Sequence, residues 1–559
     1  MKNIPYLTIA FLVSSAVFGQ KKNLSMADAV LGLGSNLRIE NLSQLGWKPS
    51  QDRYTLSVKT SYGEALVERS ATNQKIDTLF RSTQFEQNRL PYFQWVNEEE
   101  AYFTNARTYH WIKKNGQITQ WMQLPEKAED ATIDAHNKQL AYVLDNNVFL
   151  YDETGKIHQI TKDGKYEVVN GKSVHQNEFG INHGLFFSPM GNYLGFYKMD
   201  QTVVTDYPIV DWSVQPAVNK NIKYPFSGTK NHTVILGVYQ PKTGKTIFLQ
   251  TQPEIDHYLT SVTWSPDEKS IFIALLSRNQ KHLQLNEYDV ASGKKIRTLF
   301  EENDDKYVEP QHELYFLPGK KDEFVWWSQR DGFMHLYRYN REGKLLNAIT
   351  KGNWLVNEIV GNNPKRKELL ITTTKDSPKE KQLYAVNWEN GKLRKISKNP
   401  GTHTVLASKS GNYVLDVWTN ETTPRKIDLL STDGKSTQNL LTAKNPLENY
   451  QTAKVENLTL KADDGTDLYG KIIYPTDFNP TKKYPVIVYL YNGPHAQLIT
   501  NRFPASGNLW YDVLADKGYI VFTMDGRGSS NRGLKFEQAI HRKLATVEMN
   551  CLLYTSDAA

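Results

Sequence analysis

Apolar residues follow two patterns along this chain, short repeated runs first and long continuous runs near the end. From about residue 46 to 446 the runs repeat a loose phrase. It is a strand pair containing an aromatic, a polar Gly, Pro or Asp turn, then two more strands ending in a second turn. Phe93-Gln94-Trp95-Val96 with Ala101-Tyr102-Phe103 is one instance, and Thr132-Ile133-Asp134 with Gln139-Leu140-Ala141-Tyr142-Val143 another. Phe187-Ser188-Pro189-Met190-Gly191 and Trp264-Ser265-Pro266-Asp267, each followed by a fresh apolar run, are clearer copies, and Gly319, Pro364 and Gly411 mark weaker ones. The closing turns recur at Asp152–Gly155, Ala291–Gly293, Arg341–Gly343, Glu389–Gly391 and Thr432–Gly434. Four short strands in every 40 to 55 residues or so is the mark of a β-propeller blade. With a first blade at Trp47–Val67, the phrase occurs eight times. Two stacked β-sandwiches, the competing architecture, do not predict such a repeat.

One gap interrupts the repeat. From Met199 to His232 the sequence is polar and aromatic, with Pro208, Pro216 and Pro225. It predicts an insertion projecting from a blade, of the kind that contacts a partner or roofs a site.

The second pattern begins at Tyr484. Tyr484–Leu490 is an almost unbroken apolar run, which predicts a strand buried on both faces of a mostly parallel sheet. Asn492-Gly493-Pro494 ends it. Trp510–Lys517 has helical spacing, with Trp510, Val513 and Leu514 on one face and Gly518 placed as a C-cap. Tyr519–Met524 predicts a second buried strand, closed by Asp525-Gly526-Arg527-Gly528-Ser529-Ser530. Strand, helix, strand within about forty residues is a βαβ unit, and ligands collect at the carboxyl ends of its strands. Those ends are the Tyr491 and Asp525 turns.

The beginning of the chain carries different signals. A basic start at Met1-Lys2-Asn3, an apolar stretch at Ile4–Phe18 and small residues before Gln20 predict an export signal over residues 1–19. An uncleaved anchor is the alternative. The apolar stretch is shorter than the ~20 residues of a membrane span, and no later segment approaches that length. The expected product is exported, soluble, and periplasmic or at the cell surface. Residues 20–45 form a lead-in, with Ser25 placed to cap a short helical turn.

Composition narrows the classes. A chain of 559 residues is too long for one core. Lys and Arg outnumber Asp and Glu by seven, spread without a basic tract, so no nucleic-acid partner is expected. The single cysteine, Cys551, excludes a disulfide framework, and it supplies neither a zinc site nor a redox motif. No cofactor or metal is expected.

A propeller followed by a βαβ unit is similar to the prolyl oligopeptidase superfamily of serine peptidases. Tyr491-Asn492-Gly493-Pro494-His495-Ala496-Gln497 resembles that superfamily's Tyr-x-Gly-Pro turn, and Asp525-Gly526-Arg527-Gly528-Ser529 its Asp-x-Arg-Gly-Ser turn. Val174-His175-Gln176-Asn177-Glu178-Phe179-Gly180-Ile181 resembles the amino-terminus-binding loop of the dipeptidyl peptidase IV branch. Phe196–Gln201, Tyr307–Pro310, Arg330–Gly332 and Phe536–Arg542 resemble, within that branch, the bacterial prolyl tripeptidyl aminopeptidases. The likeness runs from about residue 24 to 549.

The resemblance implies an eight-bladed β-propeller over 46–446 and the start of an α/β-hydrolase catalytic domain over 447–549, a multidomain chain whose hydrolase part is partial. It implies that Tyr491 donates its hydroxyl to the oxyanion of the tetrahedral intermediate and that Glu178 pairs with the substrate's α-amine. The branch's dipeptidyl peptidase IV has two adjacent glutamates in this loop, whereas this chain has Asn177-Glu178. That difference favours release of Xaa-Xaa-Pro tripeptides over Xaa-Pro dipeptides, and it leaves a second amine ligand to be found elsewhere. Partners would be peptides with proline near the N-terminus, and a homodimer of the full-length protein is compatible with this. His495 is given no catalytic role.

An α/β-hydrolase needs a Gly-x-Ser-x-Gly elbow, then an acid and a histidine. The chain contains no Gly-x-Ser-x-Gly, and Ser529 sits in a turn whose role in the family is structural. Residues 550–559 do not look like the family's continuation and read as a spurious tail. The expectation is a peptidase gene product whose catalytic Ser, Asp and His are not in this sequence, so the chain as given should hydrolyse nothing. A non-catalytic, peptide-binding propeller protein is the alternative from another class.

Overall fold

Each closing turn legible in the sequence joins the third strand of a four-stranded antiparallel sheet to its fourth. In this computed structural model, which describes residues 21–49, 52–73 and 75–557, Gly343 shows why such turns need glycine. Its φ is 85°, and a Cβ there would lie 2.2 Å from the Leu299 carbonyl oxygen. The export signal expected over 1–19 lies outside the described residues.

Among the described residues, eight antiparallel sheets of four strands or more follow one another from Gly46 to Thr442, one of them carrying a fifth strand. Their apolar runs are explained by packing on both faces. Along Ser270–Ser277, Ile271, Ile273 and Leu275 pack with Leu236 and Val238 of the preceding sheet. Phe272, Ala274 and Leu276 pack with Phe324, Trp326 and Tyr337 of the following one. Side chains alternate across a strand, so a sheet sandwiched between two others must be apolar at every position. Burying each large apolar side chain contributes about 1.5–3 kcal/mol. The first sheet also meets the last. Tyr54, Leu56 and Val67 pack against Leu415 and Leu429, and Trp47 Nε1 donates to the Leu406 carbonyl at 2.7 Å. This is the arrangement of a propeller.

The 199–232 insertion is a two-stranded ribbon. Leu194–Asp200 pairs with Thr233–Gln240, and between them Asp206–Asp211 pairs with Val218–Lys223. Both ribbon strands are exposed, and Trp212 at the tip is 80% exposed.

The chain then enters an α/β unit whose sheet differs from the sequence reading. Lys454–Lys461 and Asp467–Tyr474 form a hairpin, Ile520–Asp525 pairs antiparallel with Asp467–Tyr474, and Val486–Tyr489 pairs parallel with Ile520–Asp525. The sheet is therefore mixed, with one parallel pair, because the hairpin precedes the βαβ unit. Val486–Tyr489 is its edge strand and is not buried on both faces, with Val486 56% exposed. Ile520–Asp525, flanked on both sides, is the buried centre.

The helix runs Leu509–Asp516, capped by Asn508, with Gly518 at φ 87° beyond its end. It is clasped from two sides rather than along the expected face. Leu509 and Val513 pack with Leu24, Ala29 and Leu37 of the lead-in, and Tyr511 and Ala515 pack on Ile473 and Val521. Trp510 and Leu514 are half-buried between. The lead-in helix Met26–Leu31 is capped by Ser25 as expected, its Oγ accepting the Asp28 N–H at 3.0 Å. Among the described residues no helix is long and apolar enough to cross a membrane.

Candidate active site

The turn that follows the edge strand presents Tyr491, two-thirds exposed. Its ring folds back over Gly493, where a Cβ would lie 2.6 Å from the ring, so any side chain at 493 would displace it. Asn492 is buried, with φ 50°, and its Oδ1 accepts the Gly526 N–H at 2.9 Å. That bond locks the Tyr491 turn to the Asp525 turn. Asp525 accepts the N–H groups of Leu498 and Ile499 at 2.8 and 2.9 Å. Burial nevertheless raises its pKa above the ordinary carboxylate value.

Ser529 is buried and donates to the Gly526 carbonyl at 2.9 Å, while the Ser530 hydroxyl lies 3.4 Å from the His495 backbone carbonyl. Both serines brace turns. Among the described residues no serine hydroxyl is hydrogen-bonded to an imidazole ring, and no three His, Cys, Asp or Glu side chains gather as a metal cluster would.

Glu178 stands on the propeller side, exposed on the loop between Val168–Asn170 and Leu185–Phe187. Its N–H donates to the His175 carbonyl at 3.0 Å, and its own carbonyl accepts the Ile181 N–H at 3.0 Å. The loop lies hard against the 304–314 segment. At Gly180, with φ 73°, a Cβ would come 2.3 Å from the Gln311 carbonyl oxygen. That segment carries Glu309, whose Oε1 is 3.0 Å from His495 Nε2.

The electrostatics of this junction follow from the contact. The bond from Glu309 raises the His495 pKa, with the charges of Glu537 and Glu178 adding to it. Glu537, at the end of the short helix Leu534–Glu537, is pushed up to about 7 by burial and then by Glu309. Glu178 thus acts on an imidazole four residues beyond Tyr491, and the propeller loop and the α/β turn face one space. A cavity of about 260 Å³ beside it is lined by Asp304, Tyr307, Glu309, Trp326 and Arg330 among others. A second, of about 350 Å³, starts at Phe179 and Gly180 and runs past Glu313 and Glu358.

The sequence had marked Glu178 and Tyr491, and the structure brings their segments to the same junction. Glu309 and Glu537 had no role in the sequence reading, although both lie in phrases that carry the resemblance, Tyr307–Pro310 and Phe536–Arg542. Their convergence on His495 belongs to the docking of two units and has no signature in local spacing.

Comparison with known proteins agrees with this architecture. The model of the dipeptidyl peptidase IV N-terminal region matches residues 88–425, and that of the prolyl oligopeptidase family matches residues 508–557. Dipeptidyl peptidase 4 of Trichophyton rubrum is 27% identical over 435 residues, 74% of this chain and 56% of that protein. Dipeptidyl-aminopeptidase B of Aspergillus niger is 27% identical over 459 residues, 73% of this chain and 49% of that protein. The chain thus spans about half the length of these curated relatives. A solved structure described as a putative dipeptidyl aminopeptidase IV from Bacteroides ovatus superposes with a TM-score of 0.88 at 34% identity, over 96% of this chain and 79% of that one. Dipeptidyl peptidase 4 of Porphyromonas gingivalis, at 22% identity, shares the fold with a TM-score of 0.81, over 97% of this chain and 79% of that one.

Proposed function

The chain belongs to the dipeptidyl peptidase IV branch of the prolyl oligopeptidase superfamily, and on that premise we propose that it is part of a serine exopeptidase acting at the N-termini of proline-containing peptides. The observation that carries the reading is the junction itself. A carboxylate on the propeller, Glu178, and a phenol on the α/β unit, Tyr491, belong to segments joined through the Glu309–His495 pair.

In this reading the substrate's α-ammonium binds the Glu178 carboxylate. A charge-assisted bond of this kind selects chain ends, because a chain interior carries no such cation. Tyr491 donates its hydroxyl where negative charge develops on the carbonyl oxygen, a donor worth about 3 kcal/mol of barrier. Attack on the carbonyl needs a serine, a histidine base and an acid. No Gly-x-Ser-x-Gly lies in this sequence, so the reading assigns recognition and oxyanion stabilisation to this chain and the attack to residues outside it.

Eight sheets, the first packed on the last, support an eight-bladed ring for the propeller. The apolar leader over residues 4–18 supports export to the periplasm or cell surface. The exposed ribbon with Trp212 at its tip supports a homodimer as one use of that surface.

Two step lengths remain to be separated. The single acid in Asn177-Glu178 supports release of Xaa-Xaa-Pro tripeptides. The names of the relatives, which are dipeptidyl peptidases, favour release of dipeptides. Hydrolysis of Ala-Ala-Pro and Gly-Pro chromogenic substrates by the full-length enzyme separates them, and faster cleavage of Gly-Pro would overturn the tripeptidyl reading.

A further inference from the structure

Glu178 is carried by a turn that its own backbone does not favour. His175, Gln176, Asn177 and Phe179 all lie in the left-handed region, with φ of 54°, 52°, 60° and 57°. None is glycine, so each position costs free energy that the surroundings must offset. Two side chains anchor the turn from beneath, Phe179 and His175, the latter 2% exposed.

The His175 ring has a partner at each nitrogen. Its Nε2 lies 3.0 Å from the Leu259 backbone nitrogen, and its Nδ1 lies 2.8 Å from His232 Nε2. A backbone N–H can only donate, so His175 Nε2 accepts and the ring's proton resides on Nδ1. That proton is donated to His232 Nε2, which places the His232 proton on its own Nδ1. Hydrogen bonding alone thus assigns one tautomer to each ring. The rings stack with centroids 4.9 Å apart, and Tyr258 stands edge-on to His175 at 5.0 Å while also packing on Phe179 at 5.0 Å. Burial keeps both rings neutral, holding His175 well below the usual imidazole range and His232 at about 4. His232 closes the ribbon excursion, immediately before Thr233–Gln240, and Leu259 lies in the first strand of the fifth sheet, His257–Trp264. Three separate segments therefore meet at two imidazoles under the turn that presents Glu178.

We propose that His175 and His232 are positioning residues for substrate capture: their tautomer-fixed pair holds the left-handed turn 175–179 in the shape that sets the Glu178 carboxylate into the junction. Neither ring touches substrate. The proposal rests on Glu178 as the amine ligand, and it adds what fixes that ligand in place.

The test compares His232→Ala and His232→Gln with Glu178→Gln in the full-length enzyme, on Ala-Ala-Pro and Gly-Pro chromogenic peptides with free and acetylated amines. A Gln carbonyl can still accept the His175 Nδ1–H, so the two His232 variants separate the hydrogen bond from the ring's bulk. The expected result for His232→Ala is a KM on free-amine peptides raised about tenfold, with kcat within about twofold and acetylated peptides unaffected. His232→Gln should recover most of the KM. Equal losses on free and acetylated peptides, or an unchanged KM, overturn the proposal. If Glu178→Gln leaves the free-amine KM unchanged, the amine-ligand reading has failed. Hydrogen exchange of the 174–181 amides then decides the positioning role: it should quicken at least about tenfold in His232→Ala and recover in His232→Gln. Unchanged exchange overturns the proposal.

Discussion

His495 Nε2 lies 3.0 Å from Glu309 Oε1, so an imidazole of the α/β unit is held by a carboxylate of the propeller. The pair makes the docking of the two units depend on pH. His495 has its pKa raised by Glu309. Its contribution is therefore full below the ordinary imidazole value and is lost as pH rises through the raised one. Glu537, at about 7 when docked, carries no cost while protonated in both states. Its cost grows between about 4.5 and 7, where the undocked carboxyl ionises while the docked one must stay protonated, and is full above that range. Both groups act in the same direction. Protection of the 491–499 and 534–540 amides, corrected for intrinsic exchange, should rise several-fold between about pH 8 and pH 6. Glu309→Gln should lessen that dependence, leaving the part that burial of Glu537 supplies, and a wild-type profile without slope would refute the linkage.

Glu178→Gln in the full-length enzyme should raise KM and lower kcat/KM on peptides with a free amine, at a cost of about 2–4 kcal/mol. Acetylated peptides should lose far less. A loss of equal size on both would make Glu178 a structural residue.

Tyr491→Phe removes the hydroxyl proposed as an oxyanion donor and leaves the ring over Gly493. The expected effect is a fall in kcat of about 10² to 10³ with KM nearly unchanged. Steady-state kinetics checks it, and a kcat within about threefold of wild type would remove Tyr491 from the chemistry.

Glu68→Ala should destabilise the propeller by about 3–5 kcal/mol. Lys48 Nζ is 2.8 Å from Glu68 Oε2, with both side chains buried, and Arg53 also bonds to this carboxylate. Burial works to raise the Glu68 pKa, but the bonds from Lys48 and Arg53 outweigh it and hold the group low. Removing the carboxylate takes away the buried partner of a buried ammonium and leaves it the more exposed Glu98, whose carboxylate is 3.3 Å away and whose carbonyl accepts at 2.5 Å. The low pKa also means that this contribution is present at neutral pH and is lost as pH falls through the folded value. Chemical denaturation at neutral pH measures the loss, and a change below about 1 kcal/mol would show that Lys48 finds other compensation.

The sequence by itself determined the repeated unit. Each closing turn, from Asp152–Gly155 to Thr432–Gly434, was legible because a hairpin turn needs left-handed glycine, a local requirement written into a few adjacent residues. The Ser25 cap and Gly518 beyond the helix were legible for the same reason. Tertiary structure decided the rest. Val486–Tyr489 reads as a buried strand but lies at an edge, because strand order is set by distant pairing and an apolar run does not state how many neighbours it will have. The lead-in reads as a separate segment, yet Leu24, Ala29 and Leu37 pack on Leu509 and Val513, nearly the whole chain away. Glu178 and Tyr491 could be named from motifs. That Glu309, Glu537 and His495 meet between them, and that His175 donates a hydrogen bond to His232 beneath Glu178, could not. Each of those contacts joins residues far apart in the chain: the docking of the α/β unit on the propeller brings His495 to Glu309 and Glu537, and the folding of one blade with its ribbon brings His232 to His175.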